Sequence, residues 1–461
     1  MIALSGKRAL HVLANSAPDV NGYAIRTHDL LVSLKDRNIC QPIGLTSPFY
    51  PEREAMNIDT EIDGIRYIRT VFQQKIKEQS KKKKNGFNVQ KETIFPLRLF
   101  KFITYKISLL CRQLFRPVYR KVILFRRFIG ERRMMKRYEK NIIEQAIKEK
   151  VSVIHAHTPF RVGLPALRAA RKLNLPFIYE VRGMWEDSAV AQGRWKTSSI
   201  PYRYYRSQEN KVIRKADDVI AIGARLGDEI NRRKLRDSPP VIVPNAVGLE
   251  FATLPLVDNS KKPESLAELD NRLQRVEETI VVGYIGSLRK LEGVDYTAMA
   301  VAQAVNSGLD VRFLVCSTKS NQDELIQLCS SLGISEISFV EGPFPHEDIV
   351  HFYDLIDIFV VSRPDSNVTR IVPPIKPLEA MIRGIPTIVS ELPALCEIID
   401  DGVTGMTFPA ENVESLAEVI VRLSKDTNLR ETIGGAGREY ILNHRTWANV
   451  VELYDEVYRR Y

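Results

Sequence analysis

Short β-rich runs alternate with stretches of helical spacing along most of this chain, and that alternation confines it to α/β architectures built on parallel sheets. The first set opens with a strand at 8–14, passes through the loop 15–21 and Gly22, and enters a helix at 23–36 with Leu30, Leu31 and Leu34 on one face. Strands are expected at 39–46 and 65–71, and again at 151–156, 177–181, 219–222 and 241–243, with helices at 163–173, 202–214 and 224–233 between the later ones. A second set begins at 279–285, an almost pure β run closed by Gly286. It continues with helices at 295–305, 322–332 and 346–355 and strands at 311–316, 337–340 and 358–362. The charged stretch 260–277, poor in strand formers, reads as a linker or surface excursion. Two sets of βα units, each with a glycine turn after its first strand, predict two Rossmann-like domains facing a cleft.

A composition of 44% apolar and 27% charged residues excludes a wholly disordered chain, and 461 residues suffice for two full cores. The net charge of +11 is unevenly placed. Residues 75–140 hold 21 Lys and Arg against four acids, a local +17, which leaves −6 for the remainder. Within that span, 75–91 is a low-complexity polar loop carrying Lys81–Lys84, whereas 95–129 mixes apolar and basic residues at helical spacing, with Pro117 expected to break it in two. Three readings are open for it: helices lying on an anionic membrane surface, a helical insertion packed on its own domain with a solvated basic face, or a nucleic-acid contact, for which no recognition motif is present. Five scattered cysteines without a CxxC point to a reducing compartment rather than to disulfides or zinc. The N-terminal apolar run is short and broken by His11 and Asn15, which suits a first strand better than a signal peptide, and no run reaches the length of a membrane span.

The stretch 371–390 carries the densest chemical signal. Pro373, Pro374 and Pro377 fix φ and lack amide donors, so they belong before or in the first turn of a helix. Glu379 follows near the positive end of that helix, and Arg383-Gly384 suits its stop. A carboxylate there can accept both hydroxyls of a ribose, or simply cap its own helix. Lys376, Arg289 and Lys290 are candidates for neutralising a leaving diphosphate, with ordinary surface solvation as the alternative for each. At the exit of the 177–181 strand stand Glu180, Arg182, Trp185, Glu186 and Asp187, which read either as a sugar-binding loop or as Trp packing beside an Arg–carboxylate pair. His155 and His157 flank Ala156 with no nearby third ligand and read as strand-end histidines rather than metal ligands, and Asp217-Asp218 as a turn and cap.

Taken together, these stretches resemble a GT-B glycosyltransferase of the large retaining family 4. The matching features are Asn21-Gly22 before a helix, Ile154-His-Ala-His157, Asp217-Asp-Val-Ile220, Val243-Pro-Asn-Ala246, Gly283-Tyr-Ile-Gly-Ser287, Lys376-Pro-Leu-Glu-Ala-Met381 and Gly402-Val-Thr-Gly405. The likeness covers nearly the whole chain outside 75–140. Three positions depart from the family pattern: Ile371 where a Glu is common, Arg182 where a His is common, and Glu292 where a Lys precedes Gly293. A branch of the family pairs E-x-R-x-x-W with K-P-L-E-A-M, as Glu180–Trp185 and Lys376–Met381 do here, and that branch resembles enzymes of bacterial surface and exported polysaccharide synthesis.

The resemblance implies a GT-B fold with an acceptor-side domain at 1–240 that contains the basic insertion 75–140, a nucleotide-sugar domain at 241–443, and a helix at 444–461 crossing back. It implies a retaining, metal-independent transfer from a nucleotide-sugar to a lipid-linked or polysaccharide acceptor, with no cofactor and no nucleic acid. Arg182 and Lys376 are then the expected catalytic residues; Gly22, Gly286, Arg289, Lys290, Pro374, Leu378 and Glu379 the donor-binding set; Glu180, Trp185 and Glu186 the acceptor side. The expected location is cytoplasmic, peripheral on the inner face of the plasma membrane through 75–140. A sugar-nucleotide epimerase and an inactive membrane-associated scaffold are the alternatives.

Overall fold

A computed structural model describes residues 7–19, 21–49, 58–70, 116–253 and 263–461. The polar loop expected at 75–91 and the 95–115 part of the basic run lie outside the described residues.

The first sheet contains β1 (Arg8–Leu13), β2 (Gln41–Thr46), β3 (Asp59–Ile62), β4 (Ile65–Arg69), β5 (Val153–His157), β6 (Phe177–Val181), β7 (Asp218–Ala221) and β8 (Val241–Ile242). Its order is β3-β4-β2-β1-β5-β6-β7-β8, parallel throughout except for the β3–β4 hairpin. Side chains alternate between faces along each strand, so the register sorts them into two cores. Leu10, Val12, Ile154, Ala156, Tyr179 and Val219 bury against Met135, Tyr138 and Ile142 of the helix Arg116–Lys148. Ala9, Leu13, Val153, Ile178 and Ile220 bury on the opposite face, against Leu30, Leu31 and Leu34 of the helix Gly22–Asp36. That face is closed by the C-terminal helices Trp447–Val450 and Glu452–Tyr458, through Trp447, Val450, Tyr454, Val457 and Tyr458. Further ties hold the terminus in place: Lys7 Nζ donates to Tyr458 O at 3.0 Å, and Arg460 and Tyr461 both bond the Asp218 carboxylate.

The second sheet contains β9 (Ile280–Ile285), β10 (Val311–Cys316), β11 (Ser338–Glu341), β12 (Ile358–Val361), β13 (Thr387–Ser390) and β14 (Met406–Phe408), all parallel, in the order β11-β10-β9-β12-β13-β14. The chain runs outward from β9 through β10 and β11, then returns to β12 on the other side. The switch point therefore lies between the carboxyl ends of β9 and β12, where open α/β sheets bind ligands.

Two expectations change. The stretch 260–277 is not a bare linker, because the helix Glu264–Leu273 lies in it and buries Leu266, Leu269 and Leu273 in the second core. Pro117 lies within the helix Arg116–Lys148, and the helical piece expected ahead of it falls outside the described residues. That 33-residue helix runs past the expected insertion boundary at 140 into the core of the first domain, and β8 places the end of the first sheet beyond residue 240.

Glu209, on the helix Ile200–Lys215, sits within the first core and accepts bonds from the Tyr179 hydroxyl and from Phe160 N at 2.9 Å. Burial pushes its carboxyl up to about 7, against the pull of the Tyr179 hydrogen bond. A carboxyl raised on folding adds stability that is complete below its unfolded pKa and is lost as pH rises through the folded value. Glu209→Gln should therefore gain stability relative to the parent as pH is raised from 5 to 8, by an amount on the order of 2 kcal/mol in urea melts at the two pH values. A constant difference across that range would contradict the assignment.

Candidate active site

The donor side is built on the carboxyl edge of the second sheet. Gly286 ends β9, and an added Cβ there would stand 2.5 Å from Tyr284 Oη, so the turn accepts no side chain without moving that ring. Arg289 and Lys290 follow it; the Arg289 side chain is 52% exposed and bonds Ser287 Oγ at 2.9 Å and Glu292 Oε1 at 2.8 Å. The short helix Lys376–Ile382 carries Glu379 in its first turn, buried to 3% exposure. Both donors that reach this carboxylate meet one oxygen: Lys376 Nζ at 2.6 Å and Tyr353 Oη at 2.8 Å bond Oε2. The carboxylate is thus held in orientation, while Oε1 remains as its second acceptor. Lys376 and Glu379, expected as neighbours in one site, are in direct contact. Leu378 is fully buried in the second core, so its side chain supports the helix rather than meeting a donor. Pro374 is half-buried in the turn ahead of it.

The first-domain side is built on the sheet face covered by the C-terminal helices. In the register, His11 lies beside His155 and His157 beside Glu180, and the period of two puts all four side chains on that face. Each is fully buried. Glu180 accepts from Arg26 Nη1, from Arg182 Nε at 2.7 Å and from Tyr454 Oη at 2.9 Å. Burial alone would raise this carboxyl, but Arg26, Arg182 and the neighbouring histidines hold it well below the usual carboxylate range. Burial lowers all three histidines, with Arg182 adding to it and Glu180 opposing it.

With neutral imidazoles, the form that burial favours, the hydrogen bonds take definite directions. Arg182 Nη2, a donor only, meets His157 Nδ1 at 2.7 Å, so that nitrogen accepts. His157 Nε2 then donates to His11 Nδ1 (3.1 Å), and His11 Nε2 donates to the Tyr458 hydroxyl (3.1 Å). That hydroxyl donates to His155 Nδ1 (2.9 Å), whose Nε2 hydrogen is left facing Glu180 Oε2 at 3.5 Å. The three imidazoles each offer a nitrogen within 4.8 Å of the others, the one such grouping among the described residues. His155 and His157 thus do have a third partner, His11, and the shared nitrogens serve this hydrogen-bond chain.

The acceptor-side expectations divide. Trp185 is 43% exposed at the start of the helix Trp185–Ala191, available to a bound molecule. Glu180 and Glu186 are not. Glu180 has no exposed surface, and Glu186 is 1% exposed and paired with Arg233 at 3.2 Å, so both act inside the fold. Arg182 is held further still: its Nη1 donates to Thr27 Oγ1 at 2.6 Å, and its guanidinium lies 4.7 Å from the centre of the Tyr23 ring. Gly22 begins the helix capped by Asn21, whose Oδ1 accepts from Tyr23 N and Ala24 N, and a Cβ on Gly22 would meet nothing within 4 Å.

A polar link joins the two sides. Arg26 Nε donates to Asn245 Oδ1 at 2.8 Å, and Asn245 Nδ2 donates to Pro373 O at 2.8 Å, at the head of the turn that leads into Lys376 and Glu379. Beside it, a Cβ on Gly183 would lie 3.5 Å from the Val372 side chain. Glu397 adds a second tie, accepting from Ala224 N (2.9 Å) and Arg225 N (2.6 Å) at the start of the helix Ala224–Arg232.

Two family models match this chain: glycosyl transferases group 1 over residues 267–440 and glycosyltransferase family 4 over residues 104–251. The chain is a glycosyltransferase. The second match begins inside the stretch set apart as an insertion, in keeping with the helix Arg116–Lys148 being part of the domain. This glycosyltransferase is 25% identical over 305 residues to the capsular polysaccharide biosynthesis glycosyltransferase CapM of Staphylococcus aureus, covering 64% of this chain and 73% of that one. It is 24% identical over 342 residues to the alpha-maltose-1-phosphate synthase of Mycolicibacterium smegmatis, covering 69% and 81%. Among solved structures, sucrose-phosphate synthase from Thermosynechococcus elongatus superposes with a TM-score of 0.69 at 16% identity, covering 99% of this chain and 98% of that one. Anabaena HepE, solved in complex with UDP and glucose, superposes with a TM-score of 0.63 at 15% identity, covering 99% and 100%. The fold of this glycosyltransferase is GT-B.

Arg26 and Tyr353 belong to these networks without any local sign in the sequence, and Tyr454 and Tyr458 read there only as the apolar face of the last helix. Arg26 and the tyrosines sit in ordinary helical periods, and only the strand register shows what they meet. The alternation of His155, His157 and Glu180 at matching ends of neighbouring strands was the available signal.

Two outcomes check the buried chain. Nitrogen-detected NMR of His11, His155 and His157 should show three Nε2–H tautomers that stay neutral when pH falls below the ordinary histidine pKa; titration of any of them near 6.5 would contradict it. Tyr458→Phe removes one donor and one acceptor at once and should lower unfolding stability by about 2 kcal/mol in urea, since two buried imidazole nitrogens lose their partner.

Proposed function

We propose that this glycosyltransferase moves a sugar, with retention of anomeric configuration and without a metal ion, from a nucleotide-sugar to a lipid-linked or polysaccharide acceptor in surface polysaccharide synthesis. The observation that carries the donor half is Glu379, a buried carboxylate at the start of its helix with Lys376 and Tyr353 fixing Oε2. A carboxylate so oriented suits the paired hydroxyls of a ribose, and Lys376 beside it suits the charge that builds on the leaving diphosphate. Attack on the same face as the departing diphosphate, with that diphosphate taking the acceptor proton, gives retention without a nucleophile from the protein. Trp185, 43% exposed, is the residue of its loop suited to an incoming acceptor, while Arg182, 6% exposed and bonded to Glu180, holds the base of that loop. CapM, as a capsular polysaccharide enzyme, and HepE, seen with UDP and glucose, support the acceptor class and the donor class respectively.

Glu379→Ala should abolish nucleoside-diphosphate binding by calorimetry while leaving the fold intact, and unchanged affinity would sink the assignment. Release of nucleotide from a donor panel, followed by NMR of the product anomer, tests the reaction: an isomerised donor with no release points to an epimerase, and neither change to a scaffold.

A membrane-facing role rests on the described end of the basic segment. Arg132, Arg133, Lys136 and Lys140 are exposed on the helix Arg116–Lys148, while Met135, Tyr138 and Ile142 face the core. At about 1 kcal/mol per basic group near an anionic surface, these four would add about 4 kcal/mol to recruitment. Replacing all four by Gln should weaken sedimentation with phosphatidylserine vesicles at least tenfold without lowering stability; undiminished binding would remove this helix from the membrane role.

A further inference from the structure

The three positions at which this chain leaves its family's pattern include Glu292, an acid just before Gly293 in the turn that follows β9. An unpaired acid would repel a diphosphate from the very edge where the donor is expected to lie. The structure places a compensating cation against it. Arg363, two residues past the end of β12, donates to Glu292 Oε2 from Nε at 3.0 Å and from Nη2 at 2.7 Å. Both side chains are nearly buried, at 10% and 8% exposure.

This pair occupies the switch point of the second sheet, since Glu292 comes from the β9 side and Arg363 from the β12 side. The two backbones meet closely there: Gly293 has φ +68°, and a Cβ on it would stand 1.9 Å from Ser362 O. Arg363 is also at the seam between domains. Its Nη1 donates to Val372 O at 3.2 Å, Val372 faces Gly183, and the helix Trp185–Ala191 packs against the Lys290–Glu292 turn.

We propose that Arg363 is a fixed cation that receives the donor's diphosphate alongside Lys376, and that Glu292 serves to hold it there. This rests on the donor-site reading given for Glu379. A guanidinium carries five N–H groups. Among the described residues, three of those on Arg363 have protein acceptors, all along its Glu292 and Val372 sides. The two that remain belong to Nη1 and Nη2, a forked pair suited to two phosphate oxygens. Glu292 bonds Arg289 as well, so the turn keeps a positive balance: Arg289, Lys290 and Arg363 against one carboxylate. The acid at 292 thereby becomes the anchor of a cation delivered from the neighbouring strand.

The test compares affinities of UDP, GDP, ADP and dTDP with those of the matching monophosphates, by calorimetry, for four proteins. For whichever base the parent binds, Arg363→Gln should lower the ratio of diphosphate to monophosphate affinity about tenfold, the value of a charge-assisted pair of hydrogen bonds. Glu292→Gln, whose amide oxygen can still accept from Arg363 and so hold it, should lower it no more than threefold. The double variant Glu292→Gln/Arg363→Gln leaves no buried charge unpaired, and should match Arg363→Gln in the ratio while melting close to the parent. A ratio unchanged in the double variant, or Glu292→Gln losing as much as Arg363→Gln, would overturn the proposal and leave the pair as an internal brace. Failure of the parent to bind any nucleoside diphosphate would overturn the donor-site reading itself.

Discussion

Glu180 carries a negative charge at the centre of the first domain with no exposed surface, and much of the molecule is arranged to satisfy it. A carboxylate so buried is tolerated only with opposite charge and hydrogen bonds on every side. Here they come from four parts of the chain: Arg26 from the first helix, Arg182 from the loop after β6, Tyr454 from the C-terminal helix, and His155 and His157 of β5, each with a ring nitrogen 3.5 Å from Oε2. Removing any one partner would leave a polar group without its bond in a medium that offers no water in exchange. The C-terminal helices are in this sense part of the first domain's interior.

The same network reaches the donor side. Arg26 serves both Glu180 and Asn245, and Asn245 bonds Pro373 O at the entry to the Lys376–Glu379 turn. The two stretches that the branch resemblance pairs, Glu180–Trp185 and Lys376–Met381, are therefore physically joined through Arg26 and Asn245, and again where Gly183 meets Val372. The replacement of a more familiar histidine by Arg182 has a counterpart in this arrangement: the guanidinium bonds Glu180, Thr27 and His157 at once, which one imidazole could not do.

Much of the architecture was legible because parallel strands buried on both faces read as nearly continuous apolar runs. The strands Phe177–Val181 and Val311–Cys316 are recovered residue for residue. The helix Glu264–Leu273 was missed because its three leucines stand among charges, and their common face counts only against the second core. Glu379 and Lys376 were legible from local order alone, being three residues apart on one helix. Glu186 read as an acceptor-side residue because position at a strand exit says nothing of direction, and its side chain turns inward to Arg233. The Glu292–Arg363 pair spans 71 positions and depends on how β9 and β12 meet, which no local pattern records.

The central claim is that Arg26 couples the buried carboxylate of the first domain to the donor turn of the second. A double-mutant cycle on unfolding free energy between Glu180→Gln and Asn245→Ala measures that coupling, since neither side chain is bonded to the other except through Arg26. The account predicts an interaction energy of about 1 kcal/mol or more between the two substitutions. Additivity to within about 0.3 kcal/mol would contradict it and reduce the link to coincident packing.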